Sequence, residues 1–172
     1  MQTSALNLIQ LEGEPGWKEL DLPASYGDGR SFVMGDNSGD RLTVRYFFRE
    51  SDNRFFAKIY FGSATQGPPG YAHGGSISAV LDEAMGFAAW IAGQTVVAAK
   101  LNINYKNMLP LKTVATIEAW VDSIKGRKII TKSKIYDDNG TIFSKSEGLY
   151  INIPKERFGD ILKEKMSSFN SE

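Results

Sequence analysis

The residues best suited to chemistry lie in one short stretch. His73 is the only histidine of 172 residues, Gly74 and Gly75 follow it, and Asp82 comes nine positions after it with Glu83 alongside. Asp82 and Glu83 are the only charges between Gly74 and Trp90. From Gly75 to Ile91, the residues Ile77, Val80, Leu81, Ala84, Met85, Phe87, Ala88, Ala89, Trp90 and Ile91 leave almost no polar face, which predicts a helix buried on most sides. A carboxylate in such a helix is costly unless it is hydrogen-bonded or functional. The first turn of a helix presents N–H groups without intrahelical partners, and glycines there let a ligand approach the backbone. With the positive end of the helix dipole, those donors suit an oxygen that gains negative charge during acyl transfer.

Successive helix residues project about 100° apart, so the spacing predicts that only one of the two carboxylates faces a given cavity. Ser78, four positions before Asp82, shares its face. Each feature also has a structural explanation. A glycine pair caps helices, a lone histidine is often a packed or capping residue, and a pair of acids in a helix is often solvated.

The elements that must position these groups are legible on either side. Leu42, Val44, Tyr46 and Phe48 alternate with Arg41, Thr43, Arg45 and Arg49, the period of a half-buried strand, and Phe55 to Phe61 reads as its return after the turn Ser51-Asp52-Asn53. Gln66-Gly67-Pro68-Pro69-Gly70 continues neither helix nor central strand and predicts a shaped loop. Four strands are expected after the helix, at Val96–Lys106, Thr113–Ile124, Arg127–Tyr136 and Thr141–Ile153, with turns at Asp122–Gly126 and Asp138-Asn139-Gly140. Residues 1–40 read as an irregular lead-in with one short helix or strand, residues 41–154 as the domain, and residues 155–172 as a charged tail. That tail is expected to form a short amphipathic helix with Phe158, Ile161 and Leu162 on one side. The class is α+β: a curved antiparallel sheet of about six strands wrapped around one long buried helix. The far side of such a sheet needs cover, so a homodimer or a dimer of dimers is expected.

Composition narrows the functions. Twenty basic residues balance twenty acidic ones, so no global field recruits nucleic acid or an anionic membrane. The absence of cysteine removes disulfides, thiolate metal sites and cysteine nucleophiles. Met1 to Leu11 has neither a signal-peptide nor a transit-peptide pattern, and no apolar run approaches the roughly 18 residues of a membrane span. A soluble cytoplasmic protein is expected.

The segment Gly67-Pro68-Pro69-Gly70-Tyr71-Ala72-His73-Gly74-Gly75, Asp82, then Leu101-Asn102-Ile103-Asn104-Tyr105-Lys106 and Gly126-Arg127-Lys128 resembles the hotdog-fold acyl-CoA thioesterases. The pattern is nearest the long-chain branch that includes carboxyl-terminal modulator protein, and more distantly resembles the phenylacetate-pathway thioesterases. The matched stretch, about Gly67 to Ile153, is half the chain.

The resemblance implies hydrolysis of acyl-CoA to free acid and coenzyme A in fatty-acid metabolism, with no metal and no bound cofactor, coenzyme A being part of the substrate. It implies Asp82 as general base or nucleophile, the Gly74 N–H as oxyanion hole, and His73 as a shaper of that loop. It implies coenzyme A contacts from Asn104, Lys106, Arg127 and Lys128. The long-chain branch has a helper threonine where this chain has Ala98, and the phenylacetate branch has an asparagine where this chain has Gly67. Ser78 is a candidate replacement for the missing hydroxyl. The competing expectation is an acyl-CoA-binding or interaction module with weak or no catalysis. A third reading, a hotdog dehydratase, follows from Glu83-Ala84-Met85, but the only histidine stands in a different segment from the one such enzymes use.

Overall fold

The computed structural model describes residues 11–22, 25–26, 29–35 and 38–158. Seven strands form one antiparallel sheet in the order β1-β4-β5-β7-β8-β9-β6, and β2 and β3 pair separately. The main strands are β1 (Lys18–Leu20), β4 (Leu42–Arg49), β5 (Arg54–Phe61), β6 (Val96–Tyr105), β7 (Val114–Lys125), β8 (Lys128–Tyr136) and β9 (Ile142–Asn152). β2 is Ser25–Tyr26 and β3 is Gly29–Arg30. One helix, α1 (Gly74–Ile91), lies across the concave face, and the whole is the hotdog fold. The expected amphipathic helix of the tail falls outside the described residues beyond 158, and Lys155–Phe158 forms a 3-10 turn. Among the described residues no helix is long and apolar enough to cross a membrane.

The core forms where the alternating strand residues meet α1. Phe55, Ala57, Ile59 and Phe61 from β5, Ala115, Ile117 and Ala119 from β7, and Ile129 and Ile135 from β8 pack under Val80, Leu81, Ala84 and Met85. The sheet has seven strands rather than about six because the lead-in contributes β1, which pairs Lys18–Leu20 with Tyr46–Phe48. The turn expected at Asp122–Gly126 tightens to Gly126-Arg127. β7 continues through Lys125, absorbing an irregularity between Val121 and Ser123, and Gly126 takes φ +59°.

The outer face of the sheet carries aromatic and ionic contacts of its own. Trp17 stacks on Phe56 at 3.9 Å between ring centroids and lies 5.7 Å from Phe47. Around this patch opposite charges alternate across the strands: Arg45 with Glu19 at 2.5 Å, Lys58 with Glu14 at 3.1 Å, and Glu118 with both Arg54 at 2.9 Å and Lys134 at 2.8 Å. The edge strand β6 is open among the described residues: its residues 97–100, 102, 104 and 105 are exposed, Val97 and Tyr105 by 42% and 51%. A ten-residue edge is a template for further strand pairing.

Candidate active site

The Pro-rich loop brings the chain to the start of α1 at a fixed angle. Gly67 N–H donates to the Tyr71 carbonyl, Tyr71 N–H to Pro68, and Ala72 N–H to Leu109, while Gly70 turns at φ +81°. A Cβ at Gly67 would stand 2.8 Å from the backbone Cα of His73. The loop therefore has no room for the asparagine of the phenylacetate branch at that position.

His73 is the N-cap of α1, extended at φ −66° and ψ 138°. Its Nδ1 accepts the Gly75 N–H at 2.8 Å, and its carbonyl receives the N–H groups of Ser76 and Ile77. This capping fixes Nδ1 as an acceptor. Among the described residues no acceptor meets the Gly74 N–H, the group that the dipole leaves most positive. Ser78 Oγ lies 2.8 Å from the Gly74 carbonyl and 2.6 Å from the Tyr105 hydroxyl, which itself donates to the same carbonyl at 2.9 Å. This cluster pins the first turn of α1 to the end of β6. A cleft of about 250 Å³ opens beside it, lined by residues that include Gly74, Ile77, Tyr105 and Lys106.

Asp82 lies in a second cleft. Its volume is about 260 Å³, and it is lined by Asp82, Glu83, Gly86, Phe87, Trp90, Val96, Ala98 and Tyr150. The Tyr150 hydroxyl donates to Asp82 Oδ1 at 2.6 Å and is 2.9 Å from the Asp82 carbonyl, leaving Oδ2 free of any described protein donor. Burial and the adjacent Asp82 charge push the Tyr150 hydroxyl well above its ordinary range, so it serves as a donor and keeps its proton. The ring fits because Gly148 has no side chain; a Cβ there would stand 2.4 Å from Tyr150 Cε2. Ala98 pairs with Tyr150 across β6 and β9, immediately before an irregularity between Ala98 and Lys100.

Both residues border this cleft, but their carboxyls part: that of Asp82 meets Tyr150, which lines the cleft, and that of Glu83 meets Tyr46 and Ser31, which do not. Gly86 is four residues from Asp82 and three from Glu83, so it borders both faces. Glu83 accepts hydrogen bonds from the Tyr46 hydroxyl on Oε1 and from the Ser31 hydroxyl on Oε2 at 3.3 Å. Burial, with a smaller push from Asp82, raises its carboxyl to about 7 against those two donors.

The structure thus divides the residues singled out from the sequence. His73, Gly74, Ser78, Asn104 and Lys106 gather where α1 begins and β6 ends. Asp82 and Ala98 sit where β6 begins. Arg127 and Lys128 belong to that second end, since Arg127 Nε donates to the Asn152 carbonyl at 3.1 Å and Asn152 pairs with Val96. Both are exposed, as are Asn104 and Lys106. Ser78 does not line the cleft of Asp82, so its hydroxyl does not stand where Ala98 leaves one missing. Of the apolar residues, Ile77 lines the first cleft, Phe87 the second, and Met85 the core. The pairing that a dehydratase needs is absent: Glu83 is held by Tyr46 and Ser31, while His73 caps the helix ten residues earlier. Sequence reasoning missed Tyr150, Tyr46, Ser31 and Tyr105. Only Tyr105 lay within a motif already singled out.

A family model described as the thioesterase superfamily matches residues 69–144. The chain is 31% identical over 141 residues to human acyl-coenzyme A thioesterase THEM5, covering 80% of this chain and 56% of that protein. It is 30% identical over 119 residues to acyl-coenzyme A thioesterase THEM4 of Xenopus laevis, covering 69% and 54%. A crystal structure of a thioesterase superfamily protein superposes with a TM-score of 0.61 and 28% identity over 64% of this chain and 54% of that one. The chain spans about half the length of the curated relatives it matches.

Proposed function

We propose, from the premise that residues 69–144 belong to the thioesterase superfamily, that this chain hydrolyses acyl-CoA thioesters, with Asp82 activating water and the Gly74 N–H holding the carbonyl oxygen. The observation that carries the reading is the pair of unsatisfied groups: a carboxylate oxygen of Asp82 in a cleft walled by Phe87, Trp90 and Val96, and a helix-end N–H with no acceptor. Water bound at Asp82 Oδ2 gives up a proton and attacks the thioester carbon. The developing oxyanion is stabilised by a donor that needs no reorganisation. The C–S bond then breaks to give the free acid and coenzyme A.

Within one chain these two groups cannot serve the same carbonyl. Eight residues of helix separate them by about 12 Å along the axis. A second copy resolves the separation. If two β6 edges pair antiparallel about Leu101 and Asn102, Ala98 of one copy comes alongside the partner's Tyr105. Asp82 of one copy then approaches the partner's Gly74. The same operation joins Asn104 and Lys106 to the partner's Arg127 and Lys128, a cationic set suited to the phosphates of coenzyme A. The active unit in this reading is a homodimer.

The other reading is a module that binds acyl-CoA without efficient turnover. Ala98 favours it, because no hydroxyl stands opposite Tyr150 to hold the water. A panel of acyl-CoAs from short to long and aromatic, assayed for thiol release with purified protein, separates the two. The first reading expects turnover that Asp82→Ala abolishes. Tight binding with no release, or release that persists in Asp82→Ala, favours the second reading or another mechanism.

A further inference from the structure

A backbone donor stabilises an oxyanion only if it is aimed, and a glycine pair is the least rigid way to begin a helix. We propose that the Tyr105 hydroxyl is a positioning group for this site: it ties the carbonyl of Gly74 to β6 and so holds the Gly74 N–H in its direction. The role rests on the thioesterase reading and adds to it a residue from outside α1.

The two peptide groups that flank Gly74 carry two carbonyls and two N–H groups, and three of these four are held. The His73 carbonyl accepts the N–H groups of Ser76 and Ile77 at 3.0 and 3.2 Å and the Ser76 hydroxyl at 2.7 Å. The Gly75 N–H donates to His73 Nδ1 at 2.8 Å. The Gly74 carbonyl meets two hydroxyls, Ser78 Oγ at 2.8 Å and that of Tyr105 at 2.9 Å. Only the Gly74 N–H lacks an acceptor among the described residues. In a trans peptide the N–H points opposite to the carbonyl. Holding the His73 carbonyl toward the helix therefore turns the Gly74 N–H out of its end.

The holders differ in origin. His73, Ser76, Ile77 and Ser78 belong to the first turns of α1 or to its cap, and they move with it. Ser78 makes the ordinary serine contact with the carbonyl four residues back. Tyr105 comes from β6, 31 residues from Gly74, and is the contact in this set that fixes the turn against the sheet. Its 2.6 Å approach to Ser78 Oγ joins the two hydroxyls over one carbonyl.

Space and exposure agree. A Cβ on Gly74 would stand 3.3 Å from the Tyr105 hydroxyl oxygen and 3.4 Å from Cζ, so the phenol end lies over Gly74 itself. Tyr105 is 51% exposed, which leaves its ring little packing to contribute and makes the placement of its hydroxyl the main thing it supplies. Tyr105 and Gly74 line the same cleft. In the proposed homodimer Ala98 of one copy lies alongside the partner's Tyr105. The strand that steadies the donor is then the one that meets the other copy's Asp82 cleft, and the tie sets the spacing between donor and base.

The test pairs thiol release with the binding of two unreactive ligands on one alkyl chain. One is the ketone analogue of dodecanoyl-CoA, in which CH2 replaces the sulfur and the carbonyl stays; the other is dodecyl-CoA, a thioether with no carbonyl. Tyr105→Phe keeps the ring and removes the hydroxyl, and with so exposed a residue its circular dichroism should stay native. On the acyl-CoA released fastest by the native chain, kcat is expected to fall about 10-fold with KM changed less than about 2-fold. Binding of the ketone should weaken about 5-fold and binding of the thioether less than about 2-fold. An unchanged kcat, or equal weakening of the two ligands, overturns the role of Tyr105 and leaves the thioesterase reading intact. Absence of thiol release by the native chain from every acyl-CoA overturns the thioesterase reading, while the two ligands still decide whether Tyr105 aims a carbonyl-binding donor.

Discussion

The two clefts on α1 differ in where their charge comes from. The one at the helix start is furnished by the backbone, with a Gly74 N–H, the dipole behind it and Lys106 at its margin. The one two turns on is furnished by side chains, with Asp82 and Glu83 between aromatic walls. A carboxylate placed at the first cleft would be captured by the N–H that an oxyanion is meant to occupy. Separation keeps each group unsatisfied and so available. In the proposed reading a single chain then holds two incomplete halves, each completed by a second copy.

Variants at the two clefts sharpen or break this contrast. The largest effect is expected at Asp82. Asp82→Asn keeps the shape and the Tyr150 contact and removes the base, so kcat should drop about 10³-fold or more. A retained rate would make the side-chain cleft irrelevant to turnover. Next comes the backbone donor, which Gly74→Pro removes. Proline is at home in the first position of a helix, and His73 before it is already extended, so α1 should persist in circular dichroism while kcat falls about 10²-fold. A rate close to native would deny the N–H its role.

Tyr150→Phe takes one of the hydrogen bonds from Asp82 and should lower kcat about 10-fold with little change in KM. A matching rise in KM would point instead to distortion of the acyl wall. The smallest effect on rate is expected at His73. His73→Ala deletes a cap, and denaturant unfolding should show a loss of about 1 kcal/mol with kcat changed less than about 5-fold. A loss of rate comparable to that of Asp82→Asn would move His73 from the scaffold into the chemistry.

What could be read from the sequence and what could not follows the distance over which each contact acts. The helix was visible because its apolar residues and their two acidic exceptions lie within 18 consecutive positions. Asp82 and the glycine pair stood out because a spacing of nine is a property of the chain itself. The groups that tune them were hidden by sheet register. Tyr150 is 68 residues from Asp82, Ser31 is 52 from Glu83, and Tyr46 is 37 from Glu83. The irregularity after Ala98, which sets what lies opposite Tyr150, has no local signature in Val96-Val97-Ala98-Ala99. The ladder of Arg45, Lys58, Glu118 and Lys134 was hidden for a similar reason, since it forms only once the strands are in register.

The claim that one chain carries two halves can be tested by mixing. Asp82→Asn and Gly74→Pro chains are each expected to be inactive alone. Dissociated together and reassembled in equal amounts, half of the dimers are mixed, and each has one intact pairing of Asp82 with the partner's Gly74. The account expects recovery of about a quarter of native thiol release. No recovery above the separate variants would contradict it.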